Sequence, residues 1–368
     1  MASNAAKRSI IGAAMFCTLW LISASGPPMS SLGFTTFAPQ KSSGSSSLGP
    51  QMNSTVAALI PYTAAVVYML TTLPQSRPKE TIFRSLSLLQ TNVPWRHQWP
   101  VLLFHAGLYD SGDNQMTFLH TLRNYTVEYN LSSEATEALL ERIEFVYLQH
   151  DVPEGIPHNT KEYKPVWREF WPSYHHMCAF FSHKIFHHPR VRDLTYYFRL
   201  GDDSYIRKPA CFDPFEYMHI NDKSFAFRVQ DMDQGSVTAG MWSFVSDYAQ
   251  RYPEVENRLR SNRWSWAPNR LLPGYGTDVG FPGYGGDFEI VRPARFQTPE
   301  VTAFLEELAS EPERFYYSRW GDAPLRRATV YMFLNVTEEV HQMCEFEYAS
   351  EGTTNYPLCE CAPLPRLT

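Results

Sequence analysis

Between Ala64 and Gln149 short apolar runs alternate with segments of helical periodicity, and this alternation constrains the fold more than any other feature. Ala64–Thr72 (AAVVYMLTT), Trp99–Gly107 (WPVLLFHAG) and Phe145–Gln149 (FVYLQ) read as buried strands. Between them, Thr81–Gln90 spaces Ile82, Phe83, Leu86 and Leu89 at helical intervals, and a Pro-rich turn at Pro74–Pro78 precedes it. A second helix is expected over Gln115–Tyr125, and Ser132 or Ser133 is placed to cap a third. Strand, helix and strand in succession close as right-handed crossovers between parallel strands. The expectation is an α/β fold with a single mixed, mostly parallel sheet flanked by helices. Ligands of such sheets bind beyond the carboxyl ends of the strands.

The segment Tyr196–Tyr205 (YYFRLGDDSY) delivers chemistry to such an end. It begins with β-forming residues and finishes in Asp202 and Asp203 behind Gly201. Carboxylate oxygens there suit a divalent cation that bridges the phosphates of a nucleotide. A solvated turn after a glycine is the plainer reading of the same residues.

Composition narrows the partners. The formal net charge of −6 comes with no basic block, which argues against nucleic acid. Aromatic residues make up 15% of the chain and are read first as core. Lys7 and Arg8 precede an uncharged run, Ile10–Ala24, that is short beside the roughly 20 residues of a membrane span but long enough for a signal peptide. A signal anchor and a cleaved signal both fit it. The following stretch is rich in Ser, Gly and Pro and is expected to be a flexible stem. Asn53, Asn124, Asn130 and Asn335 open glycosylation sequons. Beyond Cys17, the cysteines Cys178, Cys211, Cys344, Cys359 and Cys361 leave one without an intramolecular partner, and the pairing stays open. Cys359-Glu-Cys361 lacks the second pair that a zinc site needs.

Downstream motifs carry a resemblance. SYHHMCAFFSHKIF (Ser173–Phe186), YYFRLGDDSY, FDPFEYM (Phe212–Met218), DFEI (Asp287–Ile290) and YYSRWGDAP (Tyr316–Pro324) are similar in order and spacing to motifs of the fungal-type α-1,2-mannosyltransferases, glycosyltransferase family 15. The family patterns are SYxHMxRFxSGxF, YYWRVEPxxxF, YDPFxFM, SNFEI and YYxRWGDAPVHS, and the resemblance runs from about Val66 to Tyr348. It implies a GT-A-like domain over 59–350, preceded by a cytoplasmic tail and anchor (1–26) and a stem (27–58), and followed by a Cys/Pro-rich tail (351–368). It also implies a type II Golgi membrane protein with its catalytic part in the lumen, and Lys7 and Arg8 give the same orientation.

For the site, the resemblance implies a retaining transfer of mannose from GDP-mannose to a mannose-containing glycan, assisted by Mn²⁺. Asp203 matches the carboxylate of the family's Glu-Pro-Asp element, and Asp202 stands at the proline position. Glu289 matches the glutamate proposed as nucleophile, in an apolar context where a carboxylate needs a reason to be. Asp322 matches an aspartate expected at the donor or acceptor; alone, it reads as a helix N-cap. Arg199, Tyr174 and Trp320 are the remaining expected substrate contacts, with an ion pair as the alternative for Arg199 and a buried tyrosine for Tyr174.

Three positions depart from the pattern. Gly201 replaces the family Glu, Asp287 replaces the Asn of SNFEI, and Ala349 replaces a metal-completing His, with His341 aligned elsewhere. His175, His176, His187 and His188 are not used as a metal cluster by the family. An oxygen-rich site that tolerates Mg²⁺ as well as Mn²⁺ is one expectation. A different nucleotide-sugar donor is another, and a catalytically silent, membrane-tethered glycan-binding protein is a third.

Overall fold

Every residue of Tyr196–Leu200 is buried, although one of them is an arginine. A strand without polar alternation belongs in the middle of a sheet covered on both sides, and that is its place here. The computed structural model describes residues 61–71, 80–264, 280–285, 287–350 and 358–360, all within the compact unit Leu59–Thr368. The expected anchor and stem, the turn at Pro74–Pro78, the Asn53 sequon, Cys17, Cys361 and most of the C-terminal tail lie outside the described residues.

The strands in chain order are β1 (Ala64–Thr71), β2 (Val101–His105), β3 (Ile143–Tyr147), β4 (Tyr196–Leu200), β5 (Tyr205–Ile206), β6 (Phe225–Phe227), β7 (Gln230–Asp233), β8 (Phe281–Tyr284), β9 (Phe288–Val291), β10 (Val340–Gln342) and β11 (Tyr348–Ala349). Seven of them form one sheet in the order β10-β6-β9-β4-β1-β2-β3. The pairs β1–β2, β2–β3, β1–β4 and β6–β10 are parallel, whereas β9 runs antiparallel to both β4 and β6. The sheet is therefore mixed and mostly parallel, as the sequence implies. Two hairpin-like pairs, β5–β11 and β7–β8, stand outside it.

Helices Thr81–Asn92, Gly112–Glu128 and Ser133–Leu140 supply the crossovers, and Ser132 is the cap that accepts from the Ala135 amide. β3 begins two residues before the expected Phe145, because Ile143 pairs with Val101 and extends the ladder toward its start.

Strand parity sorts the core onto two faces. Ala65, Val67, Tyr197 and Val291 belong to one cluster, and Val66, Tyr68, Phe198, Phe288 and Ile290 to the other. By the same parity Arg199 and Glu289 fall on the first face, where the helices Ser173–Ser182 and Asp322–Phe333 pack. The β4–β9 register sets Arg199 directly opposite Glu289. Cys344 is disulfide-bonded to Cys359, Cys211 is also in a disulfide, and Cys178 is a buried free thiol. Among the described residues no helix is long and apolar enough to cross a membrane.

Candidate functional site

Two charges placed opposite each other on a buried sheet face need partners, and the helix Asp322–Phe333 brings them. Asp322 and Arg326 are four residues apart on that helix, hence on one side of it. Arg199 donates to Asp322 Oδ2, and Arg326 donates to Glu289 from Nε at 2.9 Å and from Nη2 at 3.3 Å. Arg199 Nη1 lies 3.9 Å from Glu289 Oε1. Tyr197, two residues before Arg199 on the same face, donates its hydroxyl to Glu289 at 3.0 Å. Two cations and two anions thus alternate along a buried chain, Asp322–Arg199–Glu289–Arg326, with all four side chains less than a tenth exposed.

Burial opposes the charge on Arg199, but Asp322 and Glu289 outweigh it and hold the guanidinium ionised. Burial likewise opposes Arg326, and Glu289 again prevails. Arg199 also lies 3.5 Å from the centroid of the Phe181 ring, and Arg326 donates to the Phe181 carbonyl at 2.7 Å. Arg199 is therefore in the ion pair that was its alternative reading. Asp322 is not the N-cap: Gly321 occupies that position, and Asp322 opens the helix with its carboxylate turned to Arg199.

Just beyond the carboxyl end of β4 the chain turns through Asp202 and Asp203. The two diverge. Asp202 is near enough to Tyr68 to add to the rise that burial gives that phenol, whereas Asp203 acts on Asp287. Asp287 leads into β9 and is open to solvent, yet the protein around it still desolvates its carboxyl enough to raise it to about 6. Arg199 opposes that rise, and Asp203, Asp322 and Asp231 reinforce it. The backbone here is clamped. Gly201 N donates to the Asp287 carbonyl at 3.1 Å, Ser204 Oγ donates to the same carbonyl at 2.9 Å, and the Tyr348 hydroxyl lies 2.9 Å from Ser204 Oγ.

A third group lies along β7. Asp233 accepts from Arg319 Nη1 at 2.9 Å, and Arg319 Nη2 donates to the Tyr174 hydroxyl at 3.0 Å. The Arg319 guanidinium carbon stands 4.0 Å from the centroid of Trp167. Arg319 and Trp167 both have left-handed φ, 59° and 55°, a strain that persists only where surrounding contacts over-determine it. Tyr174 is half-buried and reaches this cluster. Trp320 is buried in the core, where its indole N–H donates to the Ala239 carbonyl at 2.9 Å. It packs on Phe244 rather than facing a substrate as the sequence had suggested.

Asp231 and Asp233 escaped the sequence reading. Their signal is the Asp-Met-Asp spacing, which sets two carboxylates on one face of a strand. The polar string Gln230–Asp233 looks like a loop until its partner β8, about fifty residues on, is known. Ala349 pairs with Tyr205, and His341 is engaged with Tyr217 and Glu345. His175 and His176 are buried; His176 Nδ1 lies 2.8 Å from the Tyr316 hydroxyl.

Comparison with known proteins bears on the family and the fold. The sequence profile of the family described as glycolipid 2-alpha-mannosyltransferase matches residues 159–363, more than half of the chain. The O-glycoside alpha-1,2-mannosyltransferase omh1 of Schizosaccharomyces pombe is 29% identical over 203 residues, which cover 52% of this chain and 49% of that protein. The chain spans about half or less of the length of the curated relatives it matches. The fold is shared with the crystal structure of the Saccharomyces cerevisiae mannosyltransferase Ktr4p in complex with GDP (TM-score 0.63, 20% identity, 82% of this chain and 74% of that one). It is also shared with core-mannan synthase A of Aspergillus fumigatus in its Mn/GDP form (TM-score 0.60, 19% identity, 84% and 81%). With its motifs, its sheet and this match over more than half its length, the chain belongs to the glycolipid 2-alpha-mannosyltransferase family.

Proposed function

We propose that the protein transfers mannose from GDP-mannose to a mannose-containing glycan, forming an α-1,2 linkage with retention at the sugar carbon. The observation that carries this reading is the buried charge chain Asp322–Arg199–Glu289–Arg326 at the carboxyl end of β4. A buried charge network is costly to build and is retained where fixed charges must act without reorganising. Family membership, omh1's name and the GDP in the Ktr4p structure supply the substrate class.

Glu289 is the catalytic carboxylate of this reading. Arg326 and Tyr197 hold it by three hydrogen bonds, which fixes its orientation and lowers its nucleophilicity. That setting favours electrostatic stabilisation of an oxocarbenium-like sugar centre over covalent attack. Tyr174, linked through Arg319 to Asp233, orients the sugar, and Asp322 positions Arg199.

A divalent cation, as in the Mn/GDP form of core-mannan synthase A, neutralises charge on the departing diphosphate when bound. Asp203 is the first side chain that would hold it. The donor set fits: the spot above Gly201 is lined by carboxylate and hydroxyl oxygens, which suit Mn²⁺ and Mg²⁺. Among the described residues no three His, Cys, Asp or Glu side chains form a complete metal cage. Such cations commonly complete their shell with water and substrate phosphate. The lumenal Golgi location and type II anchor remain part of the proposal, on the strength of Lys7, Arg8 and the run Ile10–Ala24.

The test is a donor panel. The full chain is incubated with α-methyl mannoside and each of several labelled nucleotide sugars, with and without Mn²⁺. Transfer from GDP-mannose alone is expected; transfer only from another donor would reassign the substrate, and binding of mannosides without any transfer would favour a silent glycan-binding protein.

A further inference from the structure

Phe170 leaves 46% of its surface in water, whereas its neighbour Trp171 packs inward on His175 and Tyr316. The exposed ring is not isolated. Its centroid lies 6.0 Å from that of Trp167 and 6.4 Å from that of Tyr174, and those two are 5.5 Å apart. The planes are tilted by 49° to 60° to one another, so none lies flat on the next. A single exposed aromatic needs no explanation. A group of three that runs into a charged site has the character of a ligand-binding surface.

The group is rigid. The Arg319 guanidinium carbon stands 4.0 Å from the Trp167 centroid and 4.9 Å from the Tyr174 centroid, and Asp233 and the Tyr174 hydroxyl hold the guanidinium in place. Just before Trp167, the Val166 amide donates to the Tyr317 carbonyl at 2.9 Å, and His175 Nε2 lies 2.9 Å from the Val166 carbonyl. The short turn Arg168–Phe170 is therefore anchored where it begins. At the inner end, burial is the main cause of the rise in the Tyr174 pKa, and Asp322 and Asp287 are near enough to add to it. At the outer end, Arg168 and Glu169 are exposed, and among the described residues neither forms an ion pair. Rings and uncommitted polar groups thus stand side by side.

A hexose matches that combination. One face of its ring is a patch of C–H bonds that packs on an aromatic ring, and the hydroxyls around its edge need hydrogen-bonding partners. The 6.4 Å between the Phe170 and Tyr174 centroids is of the order of one sugar unit. We propose that Trp167 and Phe170 extend the sugar contact of Tyr174 into a platform for the acceptor glycan, with Phe170 taking the sugar next to the one that receives mannose. This rests on the reading of a mannosyltransferase with a glycan acceptor and narrows that acceptor to a chain of two or more sugars. Trp167 and Phe170 are binding residues that set acceptor length, and neither touches the reacting centre.

Titration calorimetry of the protein with α-1,2-mannobiose, in the presence of GDP, tests this without reference to turnover. Phe170→Ala is expected to weaken mannobiose binding about fivefold or more, and Phe170→Tyr, which keeps the ring, to preserve it. Circular dichroism and the unfolding temperature verify that each variant is folded. In transfer from GDP-mannose, the wild type should favour mannobiose over α-methyl mannoside in kcat/KM, chiefly through KM, and Phe170→Ala should shrink that preference by a similar factor. If folded Phe170→Ala binds mannobiose as tightly as the wild type, if the wild type binds none, or if it does not favour the longer acceptor, the platform is overturned while transfer to α-methyl mannoside leaves the transferase reading standing. If mannobiose binds in a Phe170-dependent way and no mannose is transferred, the platform stands and the transferase reading falls.

Discussion

Arg326 donates to both carboxylate oxygens of Glu289, at 2.9 and 3.3 Å, with both side chains almost wholly buried. A planar guanidinium in this two-pronged contact fixes the carboxylate plane as well as its charge. Neither group is replaceable alone. Removing the Glu289 charge leaves Arg326 buried without a carboxylate in contact, a change that costs about 3–5 kcal/mol of stability.

Glu289→Gln keeps the shape and removes the charge. Turnover should fall by about a hundredfold or more, on the order of 3 kcal/mol at the transition state, with GDP binding little changed. The same variant should unfold at a lower temperature, because Arg326 loses its counter-charge. Adding Arg326→Met should recover part of that stability and none of the activity. Steady-state kinetics and thermal unfolding of the single and double variants check this; normal turnover by Glu289→Gln would move the role to another carboxylate.

Arg199→Lys should behave as a loss rather than a conservative change. A lysine ammonium lacks the planar guanidinium that lies over the Phe181 ring while its Nη1 binds Asp322 and stands 3.9 Å from Glu289. We expect a stability loss of about 2 kcal/mol or more and a reduced kcat, read from denaturant unfolding and initial rates. Unchanged unfolding would show that the charge chain tolerates a point charge.

Acid should destabilise the fold through its histidines. Burial pushes His150 and His175 down to about 4, and His176 and His183 down to about 3. The unfolded chain therefore binds protons that the folded one refuses between about pH 6.5 and about pH 4. This stability is complete above about pH 6.5 and is lost as pH falls below it, by about 1.4 kcal/mol per pH unit for each proton taken up. The unfolding temperature should drop between pH 7 and pH 5, and His176→Gln should flatten that slope. An unfolding temperature that rises on acidification would contradict the assignment.

Reduction should loosen the C-terminal segment that braces the site. Cys344 and Cys359 are 15 residues apart, and closing a loop of that length contributes about 3 kcal/mol. Because Tyr348 lies within the loop and contacts Ser204, reductant should lower both the unfolding temperature and the affinity for Mn²⁺. Equal Mn²⁺ affinity with and without reductant would show that the brace is independent of the bridge.

The half of the sheet from β1 to β4 was legible because those strands are mainly apolar runs and the helices between the first three carry their own period, whereas β6, β9 and β10 were not assigned; β4 and its terminal carboxylates followed from ten consecutive residues. The partners of Glu289 were not legible either. Arg326 and Arg327 stand side by side in sequence, and only the helix's packing sends the first to Glu289 and the second to Gln230 at the surface. The spacing of Asp322 and Arg326 was the available clue, since four residues put both on one helix face. The meeting of Gly201 with Asp287 depends on the antiparallel insertion of β9 beside β4, a pairing between distant segments that no local pattern announces.

The central claim is tested most directly by the structure of the product. The protein, GDP-mannose, Mn²⁺ and α-methyl mannoside should yield a disaccharide whose nuclear magnetic resonance spectrum shows an α-configured mannose linked to the 2-position. The Glu289→Gln variant should form almost none. A β-configured product would contradict retention, a link at another hydroxyl would contradict the proposed specificity, and no sugar transfer by the wild type would contradict the account as a whole.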